Sequence, residues 1–307
     1  MATSVPCRRF WPLVSFWLVC AGISPGATGD APEFTYHSNV TEVRLTFSAT
    51  DQNNHGVATL QAKDFAVVDK GFIVRDFQSF TRSDWTKLEI AILVDASESV
   101  GPRFRQEVAA ALELVSQTDG VPDENLSIFS FQGLEPALVC AGTCRASHAA
   151  ERLPVARAGG LTPLFDAIVF SSDFLSKQGD DHTDKVLILF SDGEDTISRS
   201  SLRDAVDTAL NKGVQIYGID LSHVCASQGG AILQSLSTAT GGRYFGPRTE
   251  AREAMNVILE GFRANYIVSY RLPSRGFGFH DVRILPTHNL NLQFRSRSGY
   301  YYPNQIR

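Results

Sequence analysis

The sequence predicts an α/β fold: a doubly wound, mainly parallel sheet inserted between N-terminal and C-terminal β blocks that pair into a small β-sandwich. Three observations carry this. Residues 88–94 and 186–190 are almost unbroken apolar runs, the mark of strands buried on both faces. The segments between and after them repeat apolar residues at helical spacing. On either side, Val43, Leu45 and Phe47, then Leu290, Leu292 and Phe294, alternate with polar neighbours as half-buried strands do.

The 307 residues are enough for one large or two ordinary domains, and 43% of them are hydrophobic, ample for a core. A charge of -5 argues against a phosphate-backbone binder, so nucleic acid is excluded as the expected partner. Residues 1–29 read as a secretory signal peptide. Arg8 and Arg9 precede an apolar run at 10–23, and small residues follow up to Ala27 and Gly29. The run is short for a membrane span, although an uncleaved anchor is the alternative. A lipoprotein signal at Cys20 is disfavoured by bulky Val19. Removing the segment takes two arginines with it, moving the charge from -5 to -7. No later stretch is apolar and long enough to cross a membrane. The expected location is secreted or periplasmic.

The N-terminal β block is placed at 30–84. Asp51 to Gly56 supply turn chemistry, and Asp69, Lys70 and Gly71 join two apolar stretches as a hairpin whose glycine tolerates positive φ. The α/β region is placed at 85–263. Phe104, Val108, Ala111, Leu112 and Val115 give a helical stripe, and 126–131 the next strand. A helix at 164–175, the strand 186–190, a helix at 202–210 and a strand at 214–221 follow. A helix at 232–240 ends at Gly241 and Gly242, and a last one covers 251–262. The C-terminal block, 264–307, returns to strands at 266–270, 282–285 and 290–294. Each β block alone is too small for a good core, which is why the two should pair.

In open α/β sheets ligands gather at the carboxyl ends of strands. The first buried strand ends in Asp95, Ala96, Ser97, Glu98 and Ser99, a D-x-S-x-S pattern. The second ends in Ser191, Asp192, Gly193, Glu194 and Asp195. Between them, Gly160, Leu161, Thr162 and Pro163 open a helix. Each fragment has a bland reading. Ser97 and Ser99 could cap the next helix, Thr162 before Pro163 fits an N-cap with proline at the first helical position, and Asp-Gly is a common turn. Three such coincidences at three neighbouring strand ends favour one shared site instead.

The set Asp95, Ser97, Ser99, Thr162 and Asp192 resembles the metal-ion-dependent adhesion site of von Willebrand factor type A domains. Asp64 to Val67, Gly160 to Ala167, Tyr266 to Tyr270 and Arg297 to Tyr301 look like the bacterial "VWFA-related" family found in acidobacteria. The resemblance implies that these five residues hold Mg²⁺, with Mn²⁺ or Ca²⁺ as alternatives, and that Asp95 and Asp192 act at least partly through water. A hard dication prefers oxygen ligands, and Mg²⁺ takes six at about 2.0–2.1 Å. Neutral hydroxyl ligands would leave the ion electron-poor at an open position, where an Asp or Glu of a protein partner would bind. Glu98, Glu194 and Asp195 read as solvated rim charges, and Asp166 as a partner of its helix dipole. Glu98 stands where the pattern often has Gly.

The expected role is therefore an exported binding protein, not an enzyme. The runner-up is a metal-dependent hydrolase with Glu98 or Glu194 as base; a structural module whose site is never engaged is the third reading. The lone G-x-S-x-G match, 22–26, falls in the signal segment. His280 and Asp281 read as exposed polar positions of a strand. The sequons at Asn39 and Asn125 would matter only in a eukaryote. After loss of Cys7 and Cys20, three cysteines remain, and Cys140 with Cys144 could close a small loop disulfide. Such spacing lacks the second ligand pair of a typical zinc site.

Overall fold

The computed structural model describes residues 42–53, 55–83, 87–97, 104–117, 121–142, 146–153, 161–180, 182–222, 224–273 and 276–302. The expected signal segment lies outside them. Four strands come first: β1 (Glu42–Thr50), β2 (Phe65–Asp69), β3 (Phe72–Val74) and β4 (Ser79–Arg82). The α/β region follows as β5 (Leu88–Asp95), α1 (Phe104–Gln117), β6 (Leu126–Gln132), β7 (Glu135–Ala141), α2 (Ala146–Arg152), α3 (Leu164–Leu175), β8 (Asp184–Ser191), α4 (Leu202–Lys212), β9 (Val214–Asp220), α5 (Gln228–Thr240), β10 (Tyr244–Phe245) and α6 (Ala251–Arg263). Four more strands end it: β11 (Asn265–Arg271), β12 (Gly278–Pro286), β13 (Gln293–Ser296) and β14 (Gly299–Tyr302).

The central sheet has six strands in the order β10-β9-β8-β5-β6-β7. All its pairings are parallel except β6 with β7. Both faces are covered, and β5 shows how. Leu88, Ile90, Ile92 and Val94 pack on one side with residues of α1 and α6. Ala91 and Leu93 pack on the other with α3, α4 and α5. A strand buried on both faces has no polar positions to alternate, which explains the unbroken apolar run. Helix ends follow local chemistry. Ser201 and Asp204 form a capping box at the start of α4, and Gly213 ends that helix at φ +67. Ser227 caps α5, and Gly241 ends it at φ +84.

Strand β7 and helix α2 were not foreseen. The chain turns at Gly133, φ +80, and β7 runs back antiparallel along the sheet edge. Its Pro136 fits an edge strand, where a missing N–H costs little. Cys140 in β7 is disulfide-bonded, and exposed Cys225 is free. Cys144 lies outside the described residues.

The flanking blocks interleave as the sequence implied. One four-stranded sheet has the order β13-β1-β11-β4 and the other β14-β12-β2-β3. Each mixes strands from both ends of the chain, and one core fills the space between them. Phe47 lies at its centre, with ring centroids 5.1 Å from Phe65, 5.8 Å from Tyr266 and 6.0 Å from Phe294. The β2–β3 hairpin has positive φ at Lys70 (48°) as well as at Gly71 (84°). Both signs match the primed turn that follows strand twist.

His280 is a correction. It is fully buried, not an exposed polar position. The alternation along β12 is as expected, but its parity puts His280 on the inward side with Val282 and Ile284, leaving Asp281 exposed. His280 Nδ1 meets Asp69 Oδ1 at 3.0 Å and Nε2 meets the Gly276 carbonyl at 2.6 Å. Asp69 Oδ2 also accepts the Tyr270 and Tyr300 hydroxyls at 2.8 and 2.6 Å. Burial, with the Asp69 charge beside them, pushes both phenols far above the ordinary tyrosine range. A buried carboxylate so placed is stable only because its lone pairs are taken.

The opposite face of the β1 sheet meets the α/β region. Arg44 Nη1 and Thr46 Oγ1 both donate to Asp184 Oδ1 at 2.8 Å, and Ser83 Oγ donates to Asp184 Oδ2 at 3.1 Å. Among the described residues, no helix is long and apolar enough to cross a membrane.

Candidate metal centre

Asp95 is the last residue of β5, in the middle of the central sheet, with no exposed surface. Its Oδ1 accepts the Ser97 backbone N–H at 2.9 Å, and its Oδ2 accepts the Ser191 hydroxyl at 2.7 Å. Ser191 ends β8, the parallel neighbour of β5, and its Oγ also accepts the Gly193 N–H at 3.0 Å. One side chain thus links the ends of two adjacent strands. Asp192 follows at once, 5% exposed, and its Oδ1 accepts the Glu194 N–H at 3.1 Å. That bond holds the carboxylate in place.

The loop after β8 is pinned from behind. Gly193 has φ +80, and a Cβ there would lie 2.2 Å from the Gly229 carbonyl oxygen at the start of α5. Only glycine fits at this approach. From the other side, Thr162 accepts the Thr196 N–H at its carbonyl (2.9 Å), and its own N–H donates to Thr196 Oγ1 at 2.7 Å. Thr162 is therefore held against the segment that follows Asp192, and it is buried, as is Ser97.

The described part of helix α1 begins at Phe104, and residues 98–103 before it lie outside the described residues. The N-cap position of α3 is Pro163, with φ -89, ψ 60 and no side-chain cap bond, so Thr162 stands outside that role. Asp195 is no free rim charge: its Oδ1 accepts the Ser198 hydroxyl at 2.5 Å and the Phe165 N–H at 3.3 Å. Asp166 lies in the first turn of α3 but also accepts the Arg199 and Ser200 N–H groups at 3.0 and 2.9 Å. Burial opposes its ionisation, yet those donors prevail and hold the carboxyl below its ordinary value. Glu194 is exposed. Ser99 and Glu98 lie outside the described residues. Ser191, Thr196 and Gly229 were missed by the sequence reading. The first was readable, because a parallel neighbour in register with β5 must end beside Asp95.

The electrostatics make a cation chemically apt here. Burial, with the charge of Asp192 adding to it, raises the Asp95 carboxyl to about 7 against the pull of Ser97 and Ser191. Among the described residues, neither carboxylate forms an ion pair with a lysine or arginine. Nor do the described residues contain a group of three or more His, Cys, Asp or Glu suited to a metal ion. A cation at this place would thus be held by a mixture of carboxylate and hydroxyl oxygens, the set a hard dication favours. The donor chemistry fits.

Residues 90–194 match the family model described as von Willebrand factor type A domain, about a third of the chain. The chain carries a type A domain. None of the curated proteins compared with it matches. Among solved structures, an aerotolerance-related membrane protein from Bacteroides fragilis carrying multiple mutations to serines is 14% identical, covering 57% of this chain and 98% of its own, with a TM-score of 0.46. BatB from Bacteroides thetaiotaomicron is 15% identical over 57% and 98%, with a TM-score of 0.42. A manganese-loaded TRAP protein of Plasmodium vivax is 14% identical over 73% and 98%, with a TM-score of 0.47. Likenesses this distant transfer no function. In this chain the matched region lies between strands that form the two four-stranded sheets of the sandwich.

Proposed function

We propose that this chain is an exported binding protein whose type A domain docks an acidic residue of a partner protein on a divalent cation. Asp95, Ser97, Ser99, Thr162 and Asp192 hold the ion, Mg²⁺ or the similar Mn²⁺ or Ca²⁺. When bound, it supplies positive charge at an open position, which a partner's Asp or Glu completes. The observation that carries this reading is the pair Asp95 and Asp192: two buried carboxylates at neighbouring strand ends with no basic side chain paired to them among the described residues. Such charge buried without compensation is costly, and a bound dication removes the cost. The protein's part is to position oxygens; no bond of the partner is made or broken. The acidic net charge supports a protein partner over nucleic acid.

Calorimetric titration with MgCl₂ and MnCl₂ tests the ion site. Wild type should bind with a stoichiometry near one, and Asp192→Ala should not. Capture of partners from the native envelope fraction tests docking, with and without EDTA. Equal recovery by wild type, by Asp192→Ala and in EDTA would refute it. Detection of the chain in the extracytoplasmic fraction, with residues 1–29 absent from its mature N-terminus, tests export.

A further inference from the structure

Away from the strand ends, a cleft of about 280 Å³ opens at the seam between the sandwich and the type A domain. Two arginines line it, one from each side. Arg295 lies on β13 opposite Ser48 of β1. Its neighbour Phe294 packs against the sandwich core, so alternation sends Arg295 out of the other face of that sheet. Arg243 comes from the segment just before β10, with its guanidinium 5.1 Å from the Phe245 ring centroid. The floor includes Tyr217 of β9 and Ile258 of α6.

What sets the pair apart is how little answers it. Arg295 Nε is buried with no hydrogen-bond partner. Among the described residues, neither guanidinium donates a hydrogen bond or joins an ion pair. The one carboxylate on the cleft wall, Glu260, is engaged by Asn256 Nδ2 at 3.2 Å. Burial, with Arg295 next to it, lowers the affinity of Arg243 for its proton. Two like charges held together in a half-buried cleft destabilise each other, and a buried N–H without an acceptor adds to the cost. An anion resolves both. Guanidinium forks match oxyanions in shape as well as charge.

We infer that Arg243 and Arg295 form a binding site for a small oxyanion (a phosphate, sulfate or carboxylate group), which bridges the sandwich to the type A domain. The site is separate from the strand-end carboxylates and needs no metal. Inorganic phosphate, sulfate and acetate, each as the sodium salt at constant ionic strength and in EDTA, are added to the full-length protein during thermal unfolding. At least one should raise the midpoint in a saturable way, by about 5–10 °C at a hundredfold excess over its Kd. The anion that does so identifies the ligand class. In Arg243→Gln/Arg295→Gln the rise should vanish, while Arg203→Gln, on the exposed face of α4, should keep it. The double variant should fold, because it removes a repulsion; its midpoint without added anion should equal or exceed that of wild type. Arg295→Lys, which keeps the charge and loses the fork, should show a weaker Kd. No saturable rise with any of the three salts, or an equal rise in the double variant, would overturn the inference.

Discussion

Replacing Asp95 with asparagine should make the metal-free protein more stable, and by an amount that depends on pH. Burial raises this carboxyl from 3.8 to about 7 in the folded chain. Between those values the folded state binds a proton that the unfolded state has lost, so stability falls as pH rises through the window. At roughly 1.4 kcal/mol for each tenfold change in proton affinity, the full cost is about 4 kcal/mol. That cost is already net of the bonds Ser97 and Ser191 give the carboxylate, and the asparagine keeps an acceptor for the Ser97 N–H. In EDTA the variant should thus lead wild type by about 4 kcal/mol above pH 8, and by almost nothing near pH 4. Urea unfolding across that range measures the difference directly. Magnesium should work against that lead: at a hundredfold excess over Kd wild type gains about 2.7 kcal/mol and the variant gains nothing, so the lead narrows, and beyond about a thousandfold excess wild type overtakes. A stability difference that stays flat with pH would refute the argument, as would a wild type that gains on the variant as pH rises.

Four further outcomes follow from the packing. Asp69→Ala should cost about 3–5 kcal/mol in urea unfolding, because it strands buried His280 and two phenols. Tyr270→Phe and Tyr300→Phe should each cost about 1.5–3 kcal/mol alone, and far less in the Asp69→Ala background, as a double-mutant cycle would show. Gly193→Ala should cost at least about 2 kcal/mol and weaken magnesium binding in calorimetry, since its Cβ would meet the Gly229 backbone at 2.2 Å. Phe47→Ala should remove about 3–5 kcal/mol, read from the urea midpoint by near-ultraviolet dichroism of the aromatic cluster.

How far the fold could be read from the chain differed by region. The apolar runs of β5 and β8 announced buried parallel strands because burial on both faces leaves no polar position to confuse the period. Helix α3 matches its expected span, 164–175, since Pro163 and the apolar stripe mark its start clearly. Strand β7 has a proline near its start, and its short apolar run at 137–141 does not mean burial, since Leu138 is exposed at the sheet edge. His280 was misjudged because strand periodicity fixes which residues share a face but not which face is wet; the deciding partner, Asp69, is far away in sequence. Reasoning from sheet geometry pointed to Asp95, Ser97 and Asp192, which do stand at or just after the ends of β5 and β8; Thr162 instead stands just before helix α3 and not at a strand end. The residues that brace them were missed: Thr196 meets Thr162 with both its hydroxyl and its N–H, Gly229 acts through its backbone, and both contacts join segments far apart in sequence.

The interleaving of the sandwich has a consequence for how the protein is made. Ser48 pairs with Asn265, so β1, the first of the described strands to emerge from the ribosome, waits for most of the chain before its neighbour exists. Closing so long a loop from a disordered chain is slow. Folding of the intervening region would shorten that loop, for its two ends are joined by a bond from the Ser83 N–H to the Asn265 carbonyl at 2.8 Å. The topology thus favours assembly from the inside outward, with β1 among the last of the described strands to find its place.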